Sequence, residues 1–354
     1  MKIAITGACA VSARSVVRSL KISDKFNDCE FIGWDMCSLL YELYEGLFDR
    51  LYKVPGVNES NYREIICNIL KKERPDAVIV VPEIEVLYWS QHPFDVPCLL
   101  PPPEFCKLAI SKKKVFNVLG PHNLVPKSFE IKKVNILNHN FESPLGYPVW
   151  IRDSSAGTAS GKGAFKAENL DELQAWAKIN TSIQEFQLSQ FLPGGNYGVF
   201  TIFKNGILKK LAIAERIEYI MAKVAVSGIT GNTSKGRLLN DERIKQTALK
   251  AIKLLCESTN TVMNGLVVVD LKADENGIPF VTEVNIRHVA FSSSFANAGF
   301  NISEYQLLLA LDRDGEVSDE IEMTFPKNNL ILRDIDGLPV YIPEFEPLKI
   351  GEFI

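Results

Sequence analysis

The stretch GLVVVDLKADENGIPFVTEVNIR, residues 265–287, has the pattern of a β-hairpin, and it decides the fold more than any other part of the chain. Asn276-Gly277 is the dipeptide best suited to a two-residue type I′ turn, because both central residues of that turn take positive φ. Counting outward from this turn places Asp270 opposite Glu283. The sequence therefore predicts two antiparallel strands with a fixed register.

Side chains alternate between the two faces of a hairpin, so this register separates the polar residues from the apolar ones. One face carries Asp270, Glu283, Asn285 and Arg287. The opposite face is predicted to pack onto a core, and it carries Val267, Val269, Ala273, Phe280, Val284, Ile286 and the opposed pair Leu271 and Thr282. One face is thus a candidate functional site, and the other is structural.

Asp270 and Glu283 are directly opposed carboxylates, with Cβ atoms about 5 Å apart in this register. Like charges so placed destabilise a sheet unless a positive charge lies between them, and a divalent cation would supply it. Two carboxylates and the Asn285 amide suit a hard ion such as Mg²⁺, or Mn²⁺ as second choice, which often also binds substrate phosphates. We therefore expect magnesium with a nucleotide. The alternative is a solvent-facing hairpin whose acids, with Lys272 and Asp274 near the tip, keep it soluble.

The composition is that of an ordinary globular protein with room for two or three domains. The chain has 354 residues, 46% of them hydrophobic, a mean hydropathy of +0.03 and a formal net charge of −4. This balance gives no reason to expect nucleic acid or a membrane as a partner. The seven cysteines are scattered, and the N-terminus lacks the apolar stretch of a signal peptide. We expect a cytoplasmic protein with reduced thiols.

The first 100 residues have the alternation of βαβ units. A strand at 2–6, a helix at 12–20, a second strand at 30–34 and an apolar run at 76–81 are predicted. Gly7 and Asp35 stand where a dinucleotide-binding fold has its glycine turn and its acid, but residues 8–10 lack the further glycines. The pattern predicts a doubly wound, Rossmann-like domain and leaves open an NAD-dependent epimerase or reductase.

A proline-rich stretch at residues 97–103 interrupts this pattern and marks a predicted boundary. Further helices are predicted around 61–72, 111–119 and 242–257, and further strands at 147–152, 183–186, 197–203 and 208–214. The loop at 154–163 combines hydroxyl residues, glycines and Lys162, so its backbone N–H groups can close over phosphate; a mobile surface loop is the alternative. Lys112, Lys113 and Lys114 form a solvated charged face, or one of them contacts phosphate.

Several segments together resemble the ATP-grasp superfamily, and within it the large subunit of carbamoyl phosphate synthase and the carboxylate-amine ligases. FVTEVNIR (280–287) looks like the family's Glu-x-Asn-x-Arg strand, and VVVDLK (267–272) looks like the strand that supplies the other metal carboxylate. YPVWIRD (147–153) is similar to the strand whose terminal Lys or Arg contacts nucleotide phosphates. QFLPGGNYGVF (190–200) is similar to the adenine and ribose segment, and DAVIVVPEIE (76–85) to the end of the domain that precedes the grasp.

The resemblance implies a role for each matching side chain. Asp270, Glu283 and Asn285 would bind Mg²⁺, and Arg287 would steady the transferred phosphoryl group or the acyl phosphate. Arg152 and one of Lys112 and Lys113 would hold the phosphates of ATP, Gln190 and Leu192 would contact adenine, and Asn196 would contact ribose. Glutamate usually stands in the family where this chain has Gln190 and Asn196, and proline where it has Ile286. Candidate substrate contacts are Glu83, Glu85, Arg216 and Arg287.

The implied fold class is α/β, with a Rossmann-like domain at residues 1–100 and a two-lobed ATP-grasp domain at 101–310, the lobes meeting near residue 186, followed by a C-terminal extension at 311–354. The implied activity is that of an ATP- and Mg²⁺-dependent ligase, which activates a carboxylate as an acyl phosphate for attack by an amine or another nucleophile. Its partners would be small-molecule carboxylates and amines, and a homodimer is left open. A catalytically inactive nucleotide-binding scaffold is an alternative beside the NAD-dependent enzyme.

Overall fold

The computed structural model describes residues 1–37, 40–154, 163–225, 228, 230–334 and 349–353, which contain three β-sheets and the helices packed on them. The strands are β1 (Lys2–Thr6), β2 (Glu30–Asp35), β3 (Arg50–Lys53), β4 (Ala77–Ile79), β5 (Ser128–Lys132), β6 (Val149–Asp153), β7 (Phe165–Ala167), β8 (Glu185–Gln190), β9 (Asn196–Lys204), β10 (Ile207–Tyr219), β11 (Thr233–Leu239), β12 (Gly265–Ala273), β13 (Pro279–Asn285) and β14 (Ile331–Leu332). The helices are α1 (Val11–Lys21), α2 (Tyr62–Glu73), α3 (Glu83–Gln91), α4 (Pro103–Ala109), α5 (Lys112–Leu119), α6 (Lys133–Ile136), α7 (Leu170–Ile179), α8 (Glu242–Thr259), α9 (Ser292–Asn297) and α10 (Ile302–Ala310).

Three predictions concern features outside the sheets. The predicted phosphate loop at 154–163, with Lys162, lies outside the described residues at positions 155–162. All seven cysteines lie within the described residues, and none of them is disulfide-bonded. None of the described helices combines the length and the apolar composition that a membrane crossing requires.

The first sheet has the strand order β3-β2-β1-β4, and every neighbouring pair is parallel. Its central strand β1 places Ile3, Ala4 and Ile5 in fully buried positions, as a strand covered on both faces requires. The amphipathic helix α1 contributes the buried residues Val16 and Val17 to the core that includes Ile3 and Ile5. The predicted βαβ beginning of the chain is therefore confirmed, although β4 is shorter than the apolar run at 76–81.

The largest sheet has the order β13-β12-β9-β10-β11-β14, and its neighbouring strands are antiparallel. Each face of the strand β12 packs against a different apolar core. Val267 and Val269 lie in the core that includes residues of α8, whereas Leu266 and Val268 lie in the core that includes residues of α9 and α10. After these apolar residues, the second face of β12 changes to polar at Asp270, which lines a cavity.

The hairpin of β12 and β13 confirms the predicted pairing of Asp270 with Glu283, but the predicted type I′ turn is wrong. Gly277 has a φ of 74° and Asn276 has no positive φ. The Gly277 N–H donates to the Asp274 carbonyl, and the Asp274 N–H donates to the Ile278 carbonyl, as in a three-residue loop with glycine in the left-handed position. The extra loop residue is compensated by a bulge between Asp270 and the next pair toward the turn.

This bulge changes which residues of β13 face the core. Leu271 pairs with Val281 rather than with Thr282. Val281 is fully buried in the apolar core, whereas Phe280 and Thr282 are only partly buried and Thr282 lines the cavity. The prediction that Phe280 and Thr282 belong to the apolar face is therefore wrong, because strict alternation fails where a strand contains an extra residue.

The third sheet has the order β5-β8-β6-β7 and packs against α7. Side chains alternate along β6 between the core of this sheet and the cavity. Val149 and Ile151 are fully buried in the core of this sheet, whereas Trp150 and Arg152 line the same cavity as Asp270. The third sheet thus forms one wall of that cavity.

Candidate active site

A cavity of about 540 Å³ is lined by residues of the largest sheet and of the third sheet, and by residues of the helices α1, α3 and α5. Of the residues predicted to bind the metal ion or ATP or to take part in catalysis, all but Lys113 line it: Lys112, Arg152, Gln190, Leu192, Asn196, Asp270, Glu283, Asn285 and Arg287. Segments that are far apart in the sequence therefore meet at one place. The binding roles of these residues remain predictions.

The two opposed carboxylates are each neutralised by a side-chain cation. Arg216 on β10 reaches across β9, and its Nη2 lies 2.5 Å from Asp270 Oδ1. Lys112 Nζ lies 3.6 Å from Glu283 Oε1. Although burial opposes it, the Asp270 carboxylate raises the pKa of the Arg216 guanidinium. Arg216 and Lys112 thus supply the positive charge that the sequence suggested a metal ion would supply.

The same carboxylates still form a set of oxygen ligands that fits Mg²⁺. Asn285 Nδ2 lies 3.2 Å from Asp270 Oδ2, so the amide and the carboxylate are adjacent, and rotation of the amide would exchange its nitrogen for its oxygen. No group of three His, Cys, Asp or Glu side chains within the described residues could hold a metal ion. Asp270, Glu283 and Asn285 could hold Mg²⁺ only as a partial set of ligands, with phosphate oxygens and water as the remaining ligands.

Arg152 and Lys112 form a basic wall facing these acids. Arg152 Nε donates a hydrogen bond of 2.7 Å to Gln187 Oε1, and its guanidinium carbon lies 5.5 Å from the centre of the Phe116 ring. Burial lowers the pKa of Arg152, and Glu283 partly opposes this shift. Lys113 points elsewhere, since its exposed side chain pairs with Glu130. Of the two lysines that the sequence left open, Lys112 is the one in the cavity.

The predicted adenine and ribose contacts lie along the end of β8 and the start of β9. Gln190 and the buried Leu192 both line the cavity. The Asn196 side chain has a partner on each polar atom, because its Nδ2 donates to the Tyr219 hydroxyl at 2.6 Å and its Oδ1 accepts from Arg216 Nη1 at 3.1 Å. A ribose that bound Asn196 would therefore also meet Tyr219 and Arg216.

The two candidate substrate acids on α3, Glu83 and Glu85, lie in different surroundings. Glu83 lines the cavity, and its Oε1 lies 3.6 Å from Arg287 Nε. Burial raises the pKa of Glu83, and Arg287 opposes that shift. Glu85 does not line the cavity, because residues two apart on a helix face different sides. Its side chain is buried, and this burial raises the pKa of Glu85 to about 7.

Several cavity residues carried no clear signal in the sequence. Lys272 lies on the same face of β12 as Asp270, and its Nζ donates to the Gly194 carbonyl at 3.1 Å. Tyr219, Phe291 and Arg333 also line the cavity, but they come from strands and loops whose meeting depends on the tertiary fold. Alternation along the hairpin could have assigned Lys272 to the site; no local pattern could have assigned the other three.

His288 follows the site in sequence but does not line the cavity. Its Nδ1 lies 2.9 Å from Ser292 Oγ and its Nε2 lies 2.5 Å from Gln306 Oε1. Burial lowers the pKa of His288 to about 4, so the ring is neutral at pH 7. These contacts give His288 a structural role between α9 and α10.

No protein-family model matches the sequence, and comparison with curated protein sequences gives no match. Similar solved structures include an L-amino acid ligase from Bacillus licheniformis, with a TM-score of 0.60 at 15% identity over 90% of this chain and 77% of the other. A D-alanine–D-alanine ligase from Bacillus anthracis complexed with ATP gives 0.53 at 14% identity, over 90% and 100%. The biotin carboxylase domain of Hydrogenobacter thermophilus 2-oxoglutarate carboxylase, in complex with MgADP and bicarbonate, gives 0.57 at 13% identity, over 87% and 69%.

The chain therefore has the ATP-grasp fold of these ligases and carboxylases, as the resemblance of its motifs predicted. The α/β fold class is confirmed by the same comparison. At such low identity the shared fold leaves the substrates open.

Proposed function

We propose that the protein is an ATP- and Mg²⁺-dependent ligase that joins a carboxylate to an amine or a similar nucleophile. A carboxylate oxygen would attack the γ-phosphorus of ATP, releasing ADP and giving an acyl phosphate. The nucleophile would then attack the acyl carbon and release phosphate. The observation that carries this proposal is the convergence of Asp270, Glu283, Asn285 and Arg287 with Arg152 and Lys112 in one cavity.

In this proposal the protein contributes position and charge rather than a covalent nucleophile. Asp270, Glu283 and Asn285 would hold Mg²⁺, which when bound offsets charge on the phosphates of ATP. Arg152 and Lys112 contact those phosphates. Arg287 orients the substrate carboxylate, and its contact with Glu83, 3.6 Å away, limits the positions that its guanidinium can take.

The first sheet offers little support for the NAD-dependent alternative. A Cβ at Gly7 would lie 2.5 Å from Pro82 Cγ, so the glycine turn is occupied by Pro82. The Asp35 carboxylate accepts the backbone N–H groups of Cys9 at 2.9 Å and of Cys37 at 2.7 Å. Both features that suggested dinucleotide binding thus have structural partners, and we do not propose a redox reaction.

The proposed activity is tested by measuring ADP formation with panels of carboxylates and with hydroxylamine, which traps acyl phosphates as hydroxamates. We expect acid-dependent ADP and hydroxamate formation by the wild-type protein. Glu283→Gln should abolish both, whereas Glu275→Gln should leave both unchanged, because Glu275 is an exposed residue of the same hairpin. Binding of MgATP without any acid-dependent turnover would instead favour the inactive scaffold.

A further inference from the structure

Four arginines line the cavity, and they differ in how their charge is balanced. Arg216 pairs with Asp270 at 2.5 Å, and Arg287 lies 3.6 Å from Glu83. Within the described part of the chain, no carboxylate forms an ion pair with Arg152 or Arg333. The proposed function accounts for Arg152, which would contact the phosphates of ATP. It gives no role to Arg333.

Arg333 is held in the cavity wall by backbone contacts and by an aromatic ring. It directly follows β14, and its N–H donates to the Ser234 carbonyl of β11 at 2.7 Å. Its Nη1 donates to the Thr233 carbonyl at 3.1 Å, and its guanidinium carbon lies 6.0 Å from the centre of the Phe291 ring. These contacts position the side chain, and within the described residues they use one of its five side-chain N–H donors.

The Phe291 ring itself occupies space left by a glycine. A Cβ at Gly236 on β11 would lie 3.1 Å from Phe291 Cζ and 2.7 Å from the Glu215 carbonyl oxygen. Any larger residue at this position would displace the ring that supports Arg333. The sequence of β11 thus contributes to the placement of a cation that comes from a distant segment.

The electrostatic surroundings of Arg333 favour an anionic ligand. Burial, with a smaller contribution from Arg18, lowers the pKa of Arg333 to about 10. Arg18 is itself paired with Glu45 at 2.6 Å. A guanidinium partly removed from water without a carboxylate partner is unfavourable, and an anion that bound there would relieve that cost.

Arg333 is too far from the acids of the hairpin to serve the same phosphates. β14 is separated from β12 by β9, β10 and β11, which is about 19 Å across the sheet at ~4.8 Å per strand. Val289, Ala290 and Phe291, which follow Arg287, also line the cavity, and the Phe291 ring lies beside Arg333. A ligand that reached both Arg287 and Arg333 would therefore have its charged groups separated by several bonds.

We propose that Arg333 binds an anionic group, a carboxylate or a phosphate, at the end of a substrate remote from the reacting carboxylate. This inference rests on the proposed function and adds the substrate class. The anionic group belongs either to a di-acid that is activated at its other end or to an acidic amine that attacks the acyl phosphate. Both sources share the chemistry that Arg333 recognises, and matched probes distinguish them.

The test is thermal unfolding of the full chain with MgADP and probe pairs at equal ionic strength. Succinate, adipate and suberate are compared with butyrate, hexanoate and octanoate, and β-alanine is compared with propylamine. We expect the longer dicarboxylates, or β-alanine, to raise the Tm more than their partners that lack the second charge. Arg333→Met should remove this difference through an affinity loss of about tenfold or more, as expected for loss of a charged hydrogen bond.

Two further variants make the result specific. Arg63→Met is the matched control, since Arg63 lies on α2 and contacts Phe94 outside the cavity, and it should preserve the difference. Arg333→Lys keeps the charge without the planar fork and should give a smaller difference, which tests the proposal even where Arg333→Met does not fold. The proposal is overturned by equal responses within every probe pair, or by a variant of Arg333 that keeps the full difference. Failure of the proposed function would appear separately, because MgADP would then not raise the Tm of the wild-type protein.

Discussion

Two ion pairs lie at the centre of the cavity. Arg216 pairs with Asp270, and Lys112 pairs with Glu283. Gly198 on the intervening strand β9 makes the first pair feasible, because a Cβ there would lie 3.0 Å from Arg216 Nη2. The sequence could predict the two carboxylates from alternation, but their cations depend on strand order and on helix packing, which no local pattern specifies.

The adjacent lysines of α5 give a matched test of the phosphate wall. Lys112→Met should raise the KM for ATP about tenfold, because a charge-assisted contact to phosphate is lost. Lys113→Met should change the KM less than about twofold, since an exposed ion pair such as that of Lys113 with Glu130 contributes little. Steady-state ADP formation measures both values, and equal effects of the two substitutions would contradict the placement of Lys112.

At the scale of single elements, the β12–β13 hairpin has the predicted pairing of Asp270 with Glu283 but lacks the predicted type I′ turn. Asp270 does lie opposite Glu283, but only because a longer loop and a bulge shift the register in opposite directions. Alternation and turn propensity are local properties, whereas a bulge depends on the contacts of the finished sheet. Long periodic elements such as α8 were predicted well; short edge strands such as β3 and β14 were not, because two to four residues carry too little pattern.

A reciprocal pair of isosteric substitutions tests the observed faces of β13. Val281→Thr should lower the free energy of unfolding by about 1–3 kcal/mol, because it buries a hydroxyl in the apolar core. Thr282→Val should change it by less than about 1 kcal/mol, since it loses only the bond from Thr282 Oγ1 to the Asp270 carbonyl at 3.2 Å. Urea unfolding measures both. The opposite ranking would indicate the unbulged register.

For the whole molecule, the cavity joins residues from Val11 on α1 to Arg333 after β14. The C-terminal extension predicted at 311–354 contributes a strand to the largest sheet, through pairing of β14 with β11. We therefore propose that this extension is part of the active-site wall. The division of the chain into residues 1–100, 101–310 and 311–354 stays a prediction. The motifs predicted the fold and named residues that line the centre of the cavity, because the motifs are contiguous in sequence. Its far wall is assembled from segments that carry no motif.

The most direct test of the account is thermal unfolding with ATP or NAD⁺, each with and without Mg²⁺, on the wild-type protein and on Asp270→Asn/Glu283→Gln. A ligand at ~100 times its dissociation constant should add about 2.7 kcal/mol of stability, which gives a clear rise in Tm. We predict a rise with ATP that requires Mg²⁺ and is lost in the double variant, and no rise with NAD⁺. A rise with NAD⁺ alone, or an ATP response unaffected by Mg²⁺ and by both substitutions, would contradict the assignment of this cavity as a magnesium-nucleotide site.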